Sequence, residues 1–326
     1  MTETKRVDIL IAGQGAAAFS AALYAARYQM STVIASEQFG GETAIGGEIE
    51  NYPGFPSIDG YDLMLKMKEQ VDLLEVPIRN SNITAIAKSG DGFVTTLQDG
   101  TKVESLTVIL AIGRERRKLN LPNEEELMGR GVSYCSTCDA PLYRDKKVVV
   151  VGGGSAAVEG AILLAKYATD VWLVYRRAEF NRPEPVLVTQ LNQADNVHLV
   201  METEIAELLS DDSGLTGARL SKQNEGSDTI DIDGIFIEIG ADPRIEIPQA
   251  LGVELNSETN EIHVDRDMHT NIEGIYAAGD LTDGSGNLKQ TVTAAAQGAI
   301  AALAAYEHAS EIKAEKAEAA TVGASD

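Results

Sequence analysis

Short apolar runs followed by glycine turns and alanine-rich stretches set the pattern of this chain. Residues 7–11 are apolar apart from Asp8, residues 13–15 contain two glycines, and Ala16–Arg27 is an alanine-rich stretch before a second apolar run at 32–35. A short continuous apolar run is typical of a buried parallel strand, and the alanine-rich stretch favours a helix. The order predicts a strand, a tight turn, a helix and a second strand.

The same order recurs downstream, which makes it an internal repeat. Residues 146–151 are two lysines and four valines, 152–154 are three glycines, 155–167 have a helical pattern and 170–175 are mostly apolar again. Two such units predict an α/β fold with two Rossmann-like dinucleotide-binding domains, each in a three-layer ββα arrangement. Further alternating or apolar runs predict strands at 93–97, 103–110, 216–220, 229–238 and 272–280.

The last part of the chain changes character. A helical pattern runs from about residue 290 to 308, and from 309 onwards the apolar stripe gives way to Ala, Glu and Lys. We therefore expect a frayed helix end and a disordered tail over 311–326.

Both glycine turns have the spacing of a phosphate-binding loop. Gly13, Gly15 and Ala18 match GxGxxA directly after a strand, and Gly152, Gly154 and Ala157 repeat the match. The first glycine permits the tight turn, the second lets a pyrophosphate approach the backbone, and the small third residue lets the helix pack on the strand. One match is a weak signal, whereas two in one chain predict two dinucleotide sites.

The ends of the second strands indicate which nucleotide each unit takes. In the first unit the ribose meets either Ser36 or Glu37, since no acid stands at the very end of the strand. In the second unit Arg176 and Arg177 follow the strand, and two guanidiniums there can accept the 2′-phosphate of NADP. The alternative is a pair of solvated arginines after a strand.

The only two cysteines form a CSTC tetrad with Asp139 after it. Cys135 and Cys138 have no second Cys pair or neighbouring His to complete a zinc site, so we predict no metal and a disulfide that opens and closes. Disulfide reduction consumes protons, and Asp139 is a candidate proton donor and acceptor. So few cysteines fit a reducing, cytoplasmic compartment, where disulfides are usually catalytic.

Composition excludes several classes of function. The 326 residues carry a formal charge of −23, which repels phosphate backbones and anionic lipids, so neither nucleic acid nor a membrane is an expected partner. The apolar run 9–26 is interrupted by glycines and is explained by a strand, a turn and a helix better than by a targeting or membrane segment.

In this combination the chain resembles the low-molecular-weight thioredoxin reductases up to about residue 308. The motifs that carry the resemblance occur in the family's order: GQGAAA (13–18), GGE (40–42), IENYPGF (49–55), AIG (111–113), GRGVSYCSTCD (129–139), GGGSAAVEGA (152–161), YRRAEF (175–180), DGIFIEIG (233–240) and GIYAAGD (274–280). The resemblance implies a homodimeric flavoenzyme that passes electrons from NADPH through FAD to the Cys135–Cys138 disulfide and then to thioredoxin.

The resemblance also assigns residues. It implies that Cys138 faces the flavin, that Cys135 attacks the protein substrate and that Asp139 serves as acid and base. It implies FAD contacts at Gly13, Gly15, Ala16, Ala18, Ser36, Glu37, Gly41, Glu42, Asn51, Gly113, Gly279, Asp280, Lys289, Gln290 and Thr291. It implies NADP contacts at Gly152, Gly154, Ser155, Ala156, Arg176, Arg177 and Arg182.

The same resemblance implies an inserted domain. The FAD domain comprises 1–117 and 245–310, and the NADP-type domain with the CxxC occupies 118–244. One disulfide cannot touch the flavin and a bulky partner at once, so we expect one domain to rotate against the other about linkers near 114–120 and 241–247.

The donor site departs from the family's pattern. The usual HRRxxxR is here YRRAEFNR, with Tyr175 in place of His and Arg182 one position late, and Gly160 replaces a usual Glu. Three alternatives to NADPH-dependent thioredoxin reduction stay open. They are the same dithiol chemistry with ferredoxin as donor, a flavin-dependent dithiol oxidase, and a nucleotide-binding redox sensor without turnover.

Overall fold

The computed structural model of the protein describes residues 6–45, 48–180, 183, 185–224, 226–286 and 288–323. The chain divides into two units, unit 1 with residues 1–114 and 243–326 and unit 2 with residues 115–242. The boundaries expected from the sequence lie two or three residues further along the chain. The binding roles expected of the two parts stay predictions.

The first stretch of unit 1 contains most of its large sheet. Its elements are β1 (Val7–Ala12), α1 (Ala16–Arg27), β2 (Thr32–Ala35), α2 (Gly41–Ala44), β3 (Glu48–Ile49), β4 (Ile58–Asp59), α3 (Gly60–Asp72), β5 (Ile78–Arg79), β6 (Ile83–Ser89), β7 (Gly92–Leu97) and β8 (Lys102–Leu110). The sheet order is β5-β2-β1-β8-β7-β6. The strands β5, β2, β1 and β8 run parallel, while β6, β7 and β8 form an antiparallel meander.

The chain enters unit 2 through β9 (Arg114–Arg116) and there forms a second parallel sheet. The elements are β10 (Val132–Ser133), α4 (Ser136–Asp139), a 3₁₀ helix (Ala140–Tyr143), β11 (Lys147–Val151), α5 (Ser155–Ala165), β12 (Asp170–Tyr175), α6 (Pro185–Leu191), β13 (Val197–Met201), β14 (Ile205–Asp211), β15 (Gly214–Asn224), β16 (Ser227–Asp231) and β17 (Gly234–Ile237). The parallel sheet has the order β10-β17-β11-β12-β13, and β14-β15-β16 form an antiparallel sheet.

The chain returns to unit 1 through β18 (Ala241–Pro243), which pairs with β9. It then forms α7 (Glu246–Leu251), β19 (Ile275–Ala277) and α8 (Thr291–Gly323). The strand β19 lies parallel to β8 and completes the large sheet. In both units a buried strand leads through a glycine turn into a helix and on to a parallel neighbour. The α/β architecture with two Rossmann-like domains is therefore confirmed.

Small residues let α8 pack closely on α1. A Cβ on Gly298 would lie 2.0 Å from the carbonyl oxygen of Ala17, so any larger residue would force the two helices apart. The alanines of α1 are buried over most of its length, which is why this helix can pack between the sheet and α8. The contact places the first turn of α1 beside the C-terminal helix.

Two expectations from the sequence were wrong. The run 229–238 is not one strand, because β16 ends at Asp231 in the antiparallel sheet and β17 begins at Gly234 in the parallel sheet. The first part of the run, which alternates, therefore belongs to the antiparallel sheet, and the fully apolar second part belongs to the parallel sheet. An apolar run by itself does not show where one strand ends and the next begins.

The disordered tail expected from 311 was also wrong for 311–323, which belong to α8. Ala, Glu and Lys have high helix propensity, and the side chain of Lys313 reaches Asp8 at 3.2 Å while Lys316 pairs with Asp91. Residues 324–326 lie outside the described residues. Neither α8 nor any other described helix has the length and apolar character that a membrane crossing requires.

Candidate functional site

Gly13 fixes the turn between β1 and α1. Its φ is +123°, and a Cβ on it would lie 2.1 Å from the carbonyl oxygen of Ala111, just after β8. The amide of Gly13 donates to the carbonyl of Ala35 at the end of β2, at 3.0 Å. Only glycine fits this position, and the turn is held at the carboxyl ends of two neighbouring strands, where ligands of parallel sheets bind.

The N-terminus of α1 is open to a ligand. Gly15 is the N-cap and offers no side chain to the first helical amides, and the only heavy atom near a Cβ on Gly15 would be the Gly40 carbonyl oxygen at 3.9 Å. Gly41, at φ +55°, faces the Cα of Gly15. Ala16 and Ala18 follow as buried residues of the first turn. Uncapped helical amides with no side chain in front of them bind phosphate oxygens.

A residue that sequence reasoning missed supports this turn. Gln14 is 3% exposed, and its Nε2 donates to the carbonyl of Ser36 at 2.5 Å and to Oδ1 of Asn80 at 3.2 Å. The side chain therefore ties the glycine turn to the end of β2. Its signal in the sequence was only the middle position of GxG, which the motif leaves unspecified.

The acid after β2 is held in place by an amide. Oε2 of Glu37 accepts from Nδ2 of Asn82 at 2.8 Å, and the amide of Glu37 donates to Oδ1 of Asn82 at 3.3 Å. The hydroxyl of Ser36 accepts from the amide of Gln38 at 3.2 Å. Of the two residues expected at the ribose, Glu37 thus has its carboxylate positioned by Asn82, which stands just before β6. Asn82 is a second residue that the sequence did not reveal.

We expect Asn82→Ala to weaken binding of the FAD that the sequence resemblance implies by about twofold to tenfold, because about 0.5–1.5 kcal/mol is typical for a lost hydrogen bond and Glu37 would lose its alignment. Equilibrium dialysis against free FAD measures the change. Thr84→Ala is the matched control, since Thr84 is likewise exposed, lies nearby on β6 and donates its hydroxyl to the Thr96 carbonyl instead. Equal affinities in both variants would show that Glu37 does not hold the ribose.

Asp280 lies in a charged cluster near the glycine turn between β1 and α1. Gly279 precedes it at φ +90°, and a Cβ there would lie 3.1 Å from the Cβ of Ala17 in the first turn of α1. Burial raises the pKa of Asp280, while the positive charges of Arg114 and Lys289 act in the opposite direction. The structure therefore brings the AAGD segment to the glycine turn, as expected from the sequence.

A buried glutamate, also missed from the sequence, organises those two cations. Oε1 of Glu261 lies 3.1 Å from Nζ of Lys289 and 3.5 Å from Nη1 of Arg114. Glu261 is 6% exposed. Lys289, expected near the flavin, also donates to the carbonyl of Thr282.

Other residues expected at the flavin come together in pairs. Nδ2 of Asn51 donates to Oε1 of Gln290 at 3.0 Å, and the hydroxyls of Thr43 and Thr291 are 3.1 Å apart. Glu42 is half-buried in α2, and Gly113 has a φ of +67°. The residues expected from distant motifs thus share one unit of the structure.

The residues of unit 1 fit an FAD. The N-terminus of α1 offers uncapped amides for a pyrophosphate, and Glu37 offers a positioned carboxylate for a ribose. In the described part of the chain, Nε of Arg114 and Nε2 of Gln297 are buried donors without a hydrogen-bond partner. Unsatisfied buried donors are costly, and a ligand rich in phosphate and hydroxyl oxygens supplies acceptors for them.

The glycine turn of unit 2 repeats the geometry of unit 1. Gly152 has a φ of +148°, and a Cβ on it would lie 2.3 Å from the carbonyl oxygen of Glu238. Gly154 is the N-cap of α5, has no side-chain cap and has open space where a Cβ would stand. Ser155 and Ala156 follow in the first turn. This turn fits a second pyrophosphate in the same way.

Tyr175, the departure from the usual histidine, covers the middle glycine. A Cβ on Gly153 would lie 2.4 Å from the Tyr175 ring, and that ring stacks on Phe180 at 6.3 Å between centroids. The ring therefore supports the turn from the β12 side, as Gln14 does in unit 1. It leaves the space in front of Gly154 open.

Two arginines stand free beside this turn. Arg176 and Arg177 are exposed directly after β12, and neither guanidinium has a hydrogen bond or ion pair with another described residue. Arg182, also expected to bind the nucleotide, lies outside the described residues, as does Asn181. Two unpaired guanidiniums at the end of the second strand are suited to a 2′-phosphate.

The CSTC tetrad forms a short helical turn between β10 and the 3₁₀ helix. Cys135 is disulfide-bonded, and Cys138 is the one other cysteine of the sequence. The Cys135 amide donates to Oγ of Ser133 at 3.0 Å, and its carbonyl accepts from the Asp139 amide at 3.2 Å. Asp139, the expected acid and base, is half-buried at the end of this turn.

Three exposed side chains elsewhere, Asp265, Asp267 and His269, place one ligand atom each within 4.8 Å of one another. Oδ1 of Asp265 already accepts from the amides of Asp267 and His269, both at 2.9 Å. These bonds account for the local arrangement, and nothing assigns a metal to it.

Comparison with known proteins covers both units. The model of the family described as pyridine nucleotide-disulphide oxidoreductase matches residues 7–298. A thioredoxin reductase from Mycolicibacterium smegmatis is 37% identical over 299 residues, covering 91% of this chain and 94% of that protein. A glucosaminate ammonia-lyase from Pseudomonas fluorescens is 38% identical over 312 residues, covering 93% of this chain and 96% of that protein. The crystal structure of Lactococcus lactis thioredoxin reductase in the FR conformation has a TM-score of 0.85 at 33% identity. The match covers 94% of this chain and 99% of that one.

Proposed function

The chain belongs to the pyridine nucleotide-disulphide oxidoreductase family, and on that premise we propose how its residues carry out the reduction of thioredoxin. The protein is a thioredoxin reductase, an oxidoreductase that uses a flavin and a pyridine nucleotide and has thioredoxin as its substrate. The observation that carries the proposal is the disulfide-bonded Cys135 in the same unit as a second, open glycine turn.

Unit 1 binds FAD in this proposal. The amides after Gly15 hold the pyrophosphate, Glu37 binds the ribose, and Asp280 binds the ribityl region. The pair formed by Asn51 and Gln290, with Lys289 and Thr291, lies near the isoalloxazine end. When bound, the flavin supplies a site that takes two electrons from the nicotinamide and gives them to a disulfide.

Unit 2 binds NADPH. The amides at the start of α5 hold its pyrophosphate, and Arg176 and Arg177 hold its 2′-phosphate, with Arg182 as a further candidate. The free guanidiniums favour NADPH over NADH because a bidentate guanidinium pairs well with a phosphate dianion.

The dithiol completes the transfer to the protein substrate. Two electrons and two protons open the Cys135–Cys138 disulfide, and Cys138 is the thiol that faces the flavin. The Cys135 thiolate then attacks the thioredoxin disulfide, which breaks as a mixed disulfide forms, and Cys138 resolves it. Asp139 moves the proton between the dithiol and water. The domain rotation expected from the sequence stays a prediction.

Anaerobic spectroscopy tests the donor. Excess NADPH is expected to bleach the flavin band of the purified protein, and oxidised thioredoxin is expected to restore it. Bleaching by a reduced ferredoxin system and not by NADPH would overturn the donor assignment. Rapid oxygen consumption with dithiols would support the dithiol oxidase instead. Ammonia release from glucosaminate serves as a further check, in view of the relative with that name.

We also propose a cytoplasmic homodimer. Unit 1 has an apolar pocket of about 320 Å³ between α1, α3 and α8, lined among others by Phe19, Leu23 and Met67. Beside it Ile300 and Leu303 are about 40% exposed. Apolar side chains exposed near such a pocket favour a contact with another protein surface over contact with water. Sedimentation of the holoenzyme measures the mass, and a monomer at micromolar concentration would contradict the dimer.

A further inference from the structure

Glu238 is a buried carboxylate that contacts the residue next to Cys135. It directly follows β17, is 8% exposed and stands 102 residues from Ser136 in the sequence. Its Oε1 accepts the Ser136 amide at 3.1 Å and the Ser136 hydroxyl at 2.9 Å. Its Oε2 accepts Nη1 of Arg116 at 2.8 Å. One side chain thus holds both the backbone amide and the hydroxyl of the residue that begins α4.

The space for this contact exists because residue 160 is glycine. A Cβ on Gly160 would lie 2.5 Å from Oγ and 2.9 Å from Cβ of Ser136. Glu238 lies next to the same position, with its Cγ 3.9 Å from that Cβ. The departure from the family's usual glutamate at 160 therefore lets Ser136 pack directly on α5, within reach of the carboxylate from β17.

The geometry is that of an ionised carboxylate. The pKa of Glu238 is raised, because burial outweighs Arg116 and the two Ser136 hydrogen bonds, which lower it. Both carboxylate oxygens accept from N–H groups, which have no lone pair to offer a carboxylic acid proton. A buried charge of this kind persists only when it is paired and hydrogen-bonded, as this one is.

The other side of Cys135 is held differently. Tyr134 donates its hydroxyl to Oε1 of Glu124 at 2.5 Å, through the far end of a long side chain. Ser133 accepts the Cys135 amide. Glu238, by contrast, binds the backbone amide of the residue that follows the cysteine.

We propose that Glu238 is a positioning residue of the redox reaction, which holds the Cys135 side of the dithiol loop through Ser136 and shifts the dithiol–disulfide equilibrium towards the disulfide. Opening the S–S bond takes two electrons and two protons and makes two thiols, with the electrons supplied by NADPH through the flavin in the proposed function. The Ser136 bonds favour the closed loop. When Cys135 ionises, the negative charge of Glu238 fixed on the adjacent residue disfavours the reduced form.

The consequence is a stronger reductant. A dithiol whose disulfide is stabilised has a lower reduction potential, and passes its electrons more completely to a protein disulfide. This inference rests on the proposed function, since thioredoxin is the protein disulfide that would be reduced more completely.

The test measures the equilibrium of the dithiol in the holoenzyme against dithiothreitol redox buffers, by labelling of free thiols. Glu238→Gln keeps the shape and removes the charge, and we expect the equilibrium to move about tenfold towards the dithiol, which is about 30 mV. Ser136→Ala removes only the hydroxyl, and we expect the equilibrium to move about threefold in the same direction, towards the dithiol. The double variant is expected to show less than the product of the two, because both act on one contact.

Controls separate the possible failures. Glu207→Gln removes an exposed carboxylate of the same unit that pairs with Arg219, and is expected to leave the equilibrium unchanged. Unchanged equilibria in both folded test variants would overturn the inference while leaving the proposed function intact. If Glu238→Gln does not fold, the equilibrium measured for Ser136→Ala alone tests the inference. A wild-type dithiol that does not cycle with dithiothreitol would instead contradict the proposed function.

Discussion

Replacement of Cys135 by Ser is expected to lower thioredoxin reduction on the order of a thousandfold or more, while NADPH still bleaches the flavin. The loss follows because the Cys135 thiolate is the group that attacks the substrate, and serine is a far weaker nucleophile at neutral pH. No remaining residue of the CSTC tetrad can replace it, since the resolving cysteine faces the flavin in the proposed arrangement. Steady-state turnover with oxidised thioredoxin measures the first effect, and anaerobic stopped-flow spectroscopy measures the second.

The two readouts of this variant control one another. Retained flavin reduction shows that the nucleotide and flavin sites of the variant are intact, so a lost turnover then belongs to the dithiol. Undiminished thioredoxin reduction would show that electrons reach the substrate without Cys135. Loss of flavin reduction as well would show that the substitution disturbs the flavin or nucleotide site, and the lost turnover could then not be assigned to the dithiol.

The double variant Arg176→Ala/Arg177→Ala is expected to lower kcat/KM for NADPH by about a hundredfold or more and to leave that for NADH nearly unchanged. Each charge-assisted hydrogen bond contributes about 1.5–3 kcal/mol, and about 1.4 kcal/mol corresponds to a factor of ten. Two bonds to one 2′-phosphate therefore exceed a hundredfold even when their effects are not fully additive. Both guanidiniums are free to bind, since no described residue pairs with them.

Arg130→Ala is the matched control for the arginine pair. Arg130 is also an exposed arginine of unit 2, but its Nη2 donates to the carbonyl of Asp212 at 2.7 Å, in the turn between β14 and β15. We expect this variant to keep its preference for NADPH. An equal loss with NADPH and NADH in the double variant would mean that the arginines do not read the 2′-phosphate.

The sequence by itself predicted the repeated unit of each Rossmann-like domain and its glycine turn. A buried parallel strand, a tight turn and a helix each leave a local signal, because burial requires an apolar run and the turn requires residues without a Cβ. Gly13 and Gly152 are both at positive φ, and a Cβ on either would collide with backbone of a neighbouring segment. The CSTC spacing is equally local.

The tertiary structure alone decided which distant residues support these motifs. Gln14 bonds across to Ser36, Asn51 to Gln290, and Glu238 to Ser136, over 22, 239 and 102 residues. Local periodicity contains no information about such partners, since each is an ordinary polar residue in its own segment. The wrong strand at 229–238 has the same cause, because strand pairing assigned its two halves to different sheets.

The tail shows the same division between local and distant information. Its composition predicted the loss of an apolar stripe correctly, but α8 continues to Gly323, with Lys313 and Lys316 pairing with Asp8 and Asp91 of unit 1. Thus the sequence determined the chemistry available to this protein, two nucleotide turns and one dithiol. Folding determined which buried polar groups stand beside that chemistry, because a buried charge is stable only where the packed chain supplies its partners.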